Sequence, residues 1–295
     1  MQPVDFAGIS VPPVTPFHSD GSVDHESYRK LLRHLLAGNV SGIVVNGTTG
    51  ESPTVSWQEV EQLTAIALEE AGTKARVIVG TGSNDTASTI QQTERAKAIG
   101  AQAALVVVPY YSRPSQAGLV AHYRRVAEVG LPIIAYNIPY RTGVALDPTA
   151  LREILDLPAV VGLKESTGGL GNTMDLMAWT KKAILCGEDL LFFASVCLGG
   201  AGGILASAHI HPAEFVATYD DLKRGDLARA RARFLRLVPI IKLLFEEPNP
   251  APLKWALAAQ GIIASPALRL PLVGISDGLK DRLKAALAAP MPALA

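Results

Sequence analysis

The sequence predicts a (β/α)8 barrel, the TIM-barrel fold, followed by a C-terminal helical appendage. Eight short β-branched runs alternate with amphipathic stretches, and the runs are apolar nearly throughout. This pattern is typical of a parallel sheet covered by helices on its outer face. A doubly wound open sheet would alternate in the same way. It is disfavoured because the glycine-rich dinucleotide fingerprint is absent, residues 80–82 lacking its third glycine.

The individual elements follow from residue type and periodicity. Runs that end in Gly, Pro, Asn or Ser are predicted to be strands, at 9–14, 42–45, 76–80, 103–108, 132–136, 160–164, 183–186 and 203–206. Apolar residues at helical spacing predict crossover helices at 27–36, 57–70, 86–99, 117–129 and 149–155. Eight such units are enough to close a barrel.

Helical patterns continue after the eighth strand, at 212–224, 225–245, 251–260 and 277–288. They cannot add strands to a closed barrel, so they are expected to pack on its side or to form a subunit contact. We therefore predict a barrel over residues 1–224 and a C-terminal helical region over 225–295.

Charge and composition exclude several classes of partner. The 27 Lys and Arg residues balance 27 Asp and Glu residues, so there is no net field to attract nucleic acid or an anionic membrane. The first residues lack the basic and apolar segments of a signal peptide, which predicts a cytoplasmic protein. Cys186 and Cys197 have no metal-ligand spacing and are expected to be small core residues.

Lys164 is the first candidate for chemistry because it ends an apolar strand in the run GLKES. Reactive groups of a barrel gather at the carboxyl ends of its strands. Burial lowers the pKa of an ammonium group and so supplies free amine, which attacks ketones. The alternative is an edge lysine that reaches water or pairs with Glu165.

Tyr136 ends the fifth strand in the run YNIP and would point into the same mouth as Lys164. Imine formation requires a proton delivered to the carbinolamine hydroxyl, and enamine formation requires one to be removed from the substrate methyl. A phenol beside the lysine could carry both. The alternative is a ring that only packs inside the barrel.

The segment after the second strand reads NGTTGE and suits a carboxylate. Its glycines allow backbone amides to approach a ligand, and the hydroxyls of Thr48 and Thr49 add donors without a fixed positive charge. A helix cap and turn would use the same residue types.

Two further features are suggestive. Tyr111, in the run PYYSRP after the fourth strand, fits an interface as well as a catalytic phenol. Arg141 could hold a carboxylate in a fork geometry, although loop arginines are commonly just solvated. A metal site is not expected, because the six histidines are scattered and suit surface or capping roles.

Taken together, these runs resemble the dihydrodipicolinate synthase and N-acetylneuraminate lyase family of class I pyruvate aldolases. The likeness covers nearly the whole chain and rests on GTTGE, PYY, YNIPxRTG and GLKES in their order after successive strands. The resemblance implies a lysine–pyruvate imine with no other cofactor and a homotetramer or homodimer. It also implies small-molecule substrates, pyruvate and an aldehyde.

The resemblance also implies a role for each matching residue. Lys164 would form the Schiff base, and Tyr136 would shuttle protons. Thr48 would supply the hydroxyl linked to Tyr136, and Tyr111 would reach with its phenol into a neighbouring subunit's site. Substrate-binding positions would be Thr49 on the pyruvate carboxylate, Arg141 on the carboxylate of aspartate semialdehyde, and Gly187 and Ile204 around the imine.

Arg141 favours the synthase branch, which serves lysine and diaminopimelate biosynthesis, because sialic-acid lyases lack a basic group there. Tyr140 departs from the family pattern, where a small residue is common, and so does the Glu188-Asp189 pair. A paralogue acting on a sugar acid therefore remains the alternative enzyme, and a non-catalytic barrel that senses a keto acid is a further one. Residues matching the effector site of lysine-inhibited members are Trp57, Val60 and Ser88, so we expect no feedback by lysine.

Overall fold

The computed structural model describes residues 6–290, and within them eight parallel strands close into a barrel. β1 pairs with both β2 and β8, which closes the sheet and confirms the predicted fold class. The strands are β1 (Gly8–Val11), β2 (Gly42–Val45), β3 (Arg76–Gly80), β4 (Ala103–Val107), β5 (Ile133–Asn137), β6 (Val160–Glu165), β7 (Ala183–Cys186) and β8 (Gly202–Ile204).

Helices surround the barrel, and most begin at a Ser or Asp whose side chain accepts from the first-turn backbone. They are α1 (His25–Ala37), α2 (Trp57–Ala71), α3 (Thr86–Ile99), α4 (Gln116–Ala127), α5 (Pro139–Thr142), α6 (Pro148–Asp156), α7 (Gly171–Met177), α8 (Phe192–Cys197), α9 (Pro212–Lys223), α10 (Leu227–Leu244), α11 (Ala251–Ala259) and α12 (Asp277–Ala288).

Two apolar cores hold the architecture together, because alternate strand residues face opposite sides of the sheet. The larger core lies between the strands and the helices. The smaller one fills the barrel interior and includes Val44, Ile78, Leu105, Ile134 and Leu185. Tyr136 and Ile204 belong to this inner core, so both face the axis of the barrel.

The first and last strands, β1 and β8, have other boundaries than the sequence predicted. β1 ends at Val11 rather than at residue 14 because Pro12 and Pro13 have no backbone N–H to donate to a ladder. Helices α5, α7 and α8 were not predicted. Each has seven residues or fewer, too short to show a clear helical period.

The helices after β8 pack over one side of the barrel. Helix α9 contacts β1 and α10, while α12 contacts α10 and α11. The predicted division at residue 224 stays a prediction. None of the helices within residues 6–290 has the length and apolar character needed to cross a membrane. Cys186 is buried as expected, but Cys197 is exposed, so its assignment to the core was wrong.

Candidate active site

Lys164 lies near the carboxyl end of β6, and its side chain turns into the barrel mouth. It is only 7% exposed, and its Nζ is 4.2 Å from the centroid of the Tyr136 ring. Burial lowers the pKa of Lys164 to about 8, although the nearby carboxylates of Asp189 and Glu188 oppose the shift. About a tenth of the amine is therefore unprotonated at pH 7, far more than for a lysine of ordinary pKa.

Glu165 does not pair with this lysine. Successive strand residues face opposite sides, and the Glu165 carboxylate accepts hydrogen bonds from Asn137 Nδ2 at 3.2 Å and from the Thr167 N–H at 3.0 Å. The alternative in which Lys164 is neutralised by its neighbour was thus wrong. The amino group of Lys164 faces the cavity instead.

Tyr136 sits beside Lys164 because β5 and β6 pair with these two residues in register. The phenol is buried, which raises its pKa, while the hydroxyls of Ser166 and Thr48 close by oppose that change. The phenol therefore stays protonated at neutral pH and can act as a hydrogen-bond donor or proton source. The hydroxyls of Ser166 and Thr48 thus lie close to the phenol, and the phenol ring lies beside the amine.

The cavity around Lys164 brings together most of the predicted site residues. Its lining comprises Pro12, Thr48, Thr49, Tyr136, Ile138, Tyr140, Arg141, Lys164, Gly187, Asp189, Ile204, Ala206, Phe245 and Asn249. Seven of the eight predicted residues are in this set. The eighth, Tyr111, is not.

Thr49 is fixed by a residue far away in sequence. Its Oγ1 accepts a hydrogen bond of 3.1 Å from Asn249 Nδ2, and its side chain is buried. Thr48 lies one residue earlier in the same 3₁₀ turn, Thr48–Gly50, and is half-buried. The turn therefore presents two hydroxyls to the cavity.

The mouth of the cavity carries charges of both signs. Arg141 is exposed on α5, with its Cζ 5.9 Å from the centroid of the Tyr140 ring. The Tyr140 hydroxyl donates to Glu188 Oε1 at 3.0 Å. A ligand that enters here meets a guanidinium, a phenol and a carboxylate before it reaches Lys164.

Tyr111 is 89% exposed and has a left-handed backbone, with φ of 71°. A second cavity of about 320 Å³ adjoins the first, and both are lined by Thr48, Tyr136, Ile138 and Arg141. Within one chain, the structure does not bring Tyr111 to either cavity.

Asp189 and Asn249 are lining residues that the sequence did not single out as part of the site. Asp189 is buried, and its Oδ1 accepts from the backbone N–H of Ser207 at 2.7 Å and from the Ser207 hydroxyl. Burial raises the pKa of Asp189 to about 6. The available signals in the sequence were the unusual Glu188-Asp189 pair and the run EPNP at residues 247–250, but neither shows where its side chains point.

Histidines have structural roles, but not only at the surface. His209 is fully buried and its Nε2 accepts from the Val14 N–H at 3.1 Å, and His122 is also buried. These two histidines are therefore not at the surface, which was one of the two roles expected of the histidines, surface or capping. Within residues 6–290, no group of three or more His, Cys, Asp or Glu side chains is placed to hold a metal ion.

The fold and this cavity define a class, a (β/α)8-barrel protein with a buried lysine and a tyrosine paired at its mouth. The Dihydrodipicolinate synthetase family profile matches residues 5–290, and the chain belongs to that family.

Relatives and solved structures agree with this membership. The 4-hydroxy-tetrahydrodipicolinate synthase of Thiobacillus denitrificans is 43% identical over 93% of each chain. The crystal structure of dihydrodipicolinate synthase from Thermotoga maritima has a TM-score of 0.93 at 38% identity, covering 96% of this chain and 98% of that one. The chloride-inhibited dihydrodipicolinate synthase from Acinetobacter baumannii, solved with pyruvate, has a TM-score of 0.92 at 36% identity, covering 95% and 97%.

Proposed function

We propose that the protein is a 4-hydroxy-tetrahydrodipicolinate synthase, a lyase that condenses pyruvate with L-aspartate 4-semialdehyde in lysine and diaminopimelate biosynthesis. The observation that carries the proposal is the buried Lys164 amine, with a lowered pKa and a neighbouring tyrosine, in a chain of this family. The imine forms on the protein's own side chain, and no further cofactor is proposed.

The first half of the reaction activates pyruvate. The neutral amine of Lys164 attacks the C2 carbonyl, and the carbinolamine loses water to give an iminium. Tyr136, which has the Thr48 hydroxyl close by, supplies the proton that converts the leaving hydroxyl to water. The Tyr136 phenolate left by that transfer takes a methyl proton, which gives the enamine and restores the phenol. Thr49 and the turn around it hold the pyruvate carboxylate through hydroxyl and amide donors.

The second half forms the carbon–carbon bond. The enamine carbon attacks the aldehyde, whose carboxylate is held by the Arg141 guanidinium in a bidentate arrangement. The amino group of the condensed product then replaces the Lys164 nitrogen at the imine carbon. This step closes the six-membered ring, releases 4-hydroxy-tetrahydrodipicolinate and regenerates the free lysine. The apolar side chain of Ile204 and the small Gly187 form part of the wall around the imine.

The proposal includes a homodimer or homotetramer in which Tyr111 crosses the subunit interface. Aromatic side chains are enriched at protein interfaces, and Tyr111 is 89% exposed within one chain. The second cavity, beside Thr48 and Tyr136, offers space for a phenol supplied from outside the chain. A cytoplasmic location is part of the same proposal, because the proposed substrates are small soluble metabolites.

A second candidate is a paralogous aldolase or dehydratase that uses the same imine on a sugar acid. The hydrogen bond between Tyr140 and Glu188 supports this second candidate, because these two residues add polar groups at the mouth of the cavity. A hydroxyl-rich aldehyde could hydrogen-bond to the Tyr140 oxygen and the Glu188 carboxylate, both of which can accept.

One experiment tests the imine and the second substrate together. Pyruvate and borohydride should leave a reduced adduct on Lys164, located by peptide mapping. Pyruvate with a panel of aldehydes should then yield product of the expected mass with aspartate semialdehyde. An adduct at another residue would overturn the mechanism. Faster turnover with a sugar-derived aldehyde than with aspartate semialdehyde would favour the second candidate.

A further inference from the structure

A second buried lysine, Lys254, makes an ion pair with Glu51 that no step of the mechanism uses. Lys254 Nζ lies 2.7 Å from Glu51 Oε1, and both side chains are 0% exposed. Glu51 follows β2, whereas Lys254 lies on α11, more than two hundred residues later. The pair therefore joins the predicted C-terminal helical region to the loop after the second strand.

The Glu51 carboxylate is bound on both oxygens. Oε2 accepts from the backbone N–H of Arg269 at 3.1 Å. The Phe17 ring lies against both cations, with its centroid 4.2 Å from Lys254 Nζ and 4.3 Å from Arg269 Cζ. Burial lowers the pKa of Lys254 to about 8, and Glu51 opposes the shift.

Such a pair is poorly suited to stabilising a fold for its own sake. Both charges lose their hydration, and an apolar pair of similar size commonly serves stability equally well. Charged hydrogen bonds differ from apolar contacts in fixing direction and distance. The geometry of what the pair holds is therefore the feature to explain.

What it holds is the Thr48–Gly50 turn. Glu51 ends this turn with a left-handed backbone, φ 59°, which a residue with a Cβ adopts only when the surroundings require it. The Gly50 carbonyl accepts from Thr15 Oγ1 at 2.7 Å, and Thr49 accepts from Asn249. The turn is thus held from three directions.

We propose that Glu51 and Lys254 are positioning residues, which set the place of the Thr48 and Thr49 hydroxyls relative to Tyr136 and Lys164. Neither Glu51 nor Lys254 lines the cavity, so both act through the turn. The inference rests on the proposed function in one respect, that these hydroxyls serve pyruvate. Small misplacements of such groups have large effects on rate.

The test compares Glu51→Gln, Lys254→Met and the double variant. Each single change leaves a buried charge without its partner and should lower Tm. The double change removes both charges and should recover most of the loss. The turn should still be less firmly held in the double variant. We expect amide exchange at residues 50 and 51 to be faster by about tenfold, and the pyruvate concentration that half-saturates imine trapping to rise by about tenfold.

Glu51→Asp covers the case in which the neutral variants do not fold. It keeps the charge and accepts the left-handed backbone, but its side chain is one methylene shorter and should draw the turn away from the cavity. The same rise in half-saturating pyruvate is expected with little change in Tm.

The matched control is Arg124→Met with Glu153→Gln. This pair has the same 2.7 Å separation but is exposed, at 58% and 46% of the two side chains, so no measured quantity should change. Parental amide exchange and parental pyruvate saturation in both the double variant and Glu51→Asp would overturn the positioning role. A parent protein that fails to trap pyruvate would instead overturn the proposed function, and amide exchange would still decide the role of the pair.

Discussion

Gly187 leaves the space that Lys164 occupies. A Cβ added at residue 187 would lie 2.7 Å from Lys164 Cε and would also collide with the Ser166 hydroxyl. The aliphatic part of the Lys164 side chain therefore occupies the space that a side chain at residue 187, just after β7, would need. The place of the amine depends on the absence of a single carbon atom.

Replacing that glycine should displace the lysine. We expect Gly187→Ala to slow pyruvate trapping on the order of a hundredfold, since a shift of about 1 Å at a reacting group has that effect. Gly169→Ala is the control, because a Cβ there meets nothing within 4 Å. Stopped-flow measurement of imine formation checks both, and a normal rate for Gly187→Ala would contradict the packing argument.

The pH dependence of imine formation should report the amine of Lys164. Because the neutral amine is the reactive form, the rate should rise as pH increases and level off above the pKa of about 8. Asp189 and Glu188 favour the charged form, so removing one of them should lower this pKa further. Asp189→Asn should therefore move the inflection to lower pH.

The amide in Asp189→Asn can still accept from the Ser207 N–H, which preserves the local structure. The pKa of Asp189 is about 6, so its carboxylate is charged across the range in which Lys164 titrates. Asp175→Asn, at an exposed position, is the control. An inflection that stays in place or moves upward in Asp189→Asn would count against the charge argument.

Arg141→Ala should separate the two halves of the reaction. Imine trapping should be unchanged, while kcat/KM for aspartate semialdehyde should fall by roughly thirtyfold, which corresponds to about 2 kcal/mol from lost charge-assisted hydrogen bonds. Arg141→Lys should recover only part of the loss, because an ammonium cannot form the bidentate pair. Equal turnover by Arg141→Ala and the parent would remove Arg141 from the site.

Mixed oligomers can show whether Tyr111 acts across an interface. Tyr111→Phe should reduce turnover by about a hundredfold, the usual contribution of a proton-transfer group. Co-expression with Lys164→Ala should restore turnover, because a site then combines Lys164 of one chain with Tyr111 of the other. Random pairing predicts about a quarter of the parental activity. Activity no higher than that of Tyr111→Phe alone would place the phenol within its own chain.

Lysine should not inhibit the enzyme. Val60 is buried and cannot accept a hydrogen bond from an ammonium, and Ser88 carries no charge to offset its desolvation. The Arg95 guanidinium lies 5.7 Å from the Trp57 ring centroid, which adds a like charge. Turnover measured against rising lysine, with calorimetry for binding, tests this. Saturable inhibition at submillimolar lysine would contradict it.

The sequence predicted those features that depend on neighbours along the chain. Apolar strands ending in Lys164 and Tyr136 placed both residues at one edge of the barrel, and strand pairing brings them together in register. The contact of Asn249 with Thr49 could not be anticipated, because it joins residues two hundred positions apart through a loop with no periodicity. The role proposed for Tyr111 involves a second chain, and one sequence read alone cannot place a second chain in space.

The ion pair between Glu51 and Lys254 also bears on how the protein is made. Synthesis proceeds from the N-terminus, and the strands of the barrel are complete well before α11 leaves the ribosome. The turn after β2 cannot gain its buried partner until then. A nascent chain with all eight strands therefore still lacks the contact that fixes the Thr48 and Thr49 hydroxyls, and a helix synthesised after the barrel completes a loop made near the beginning.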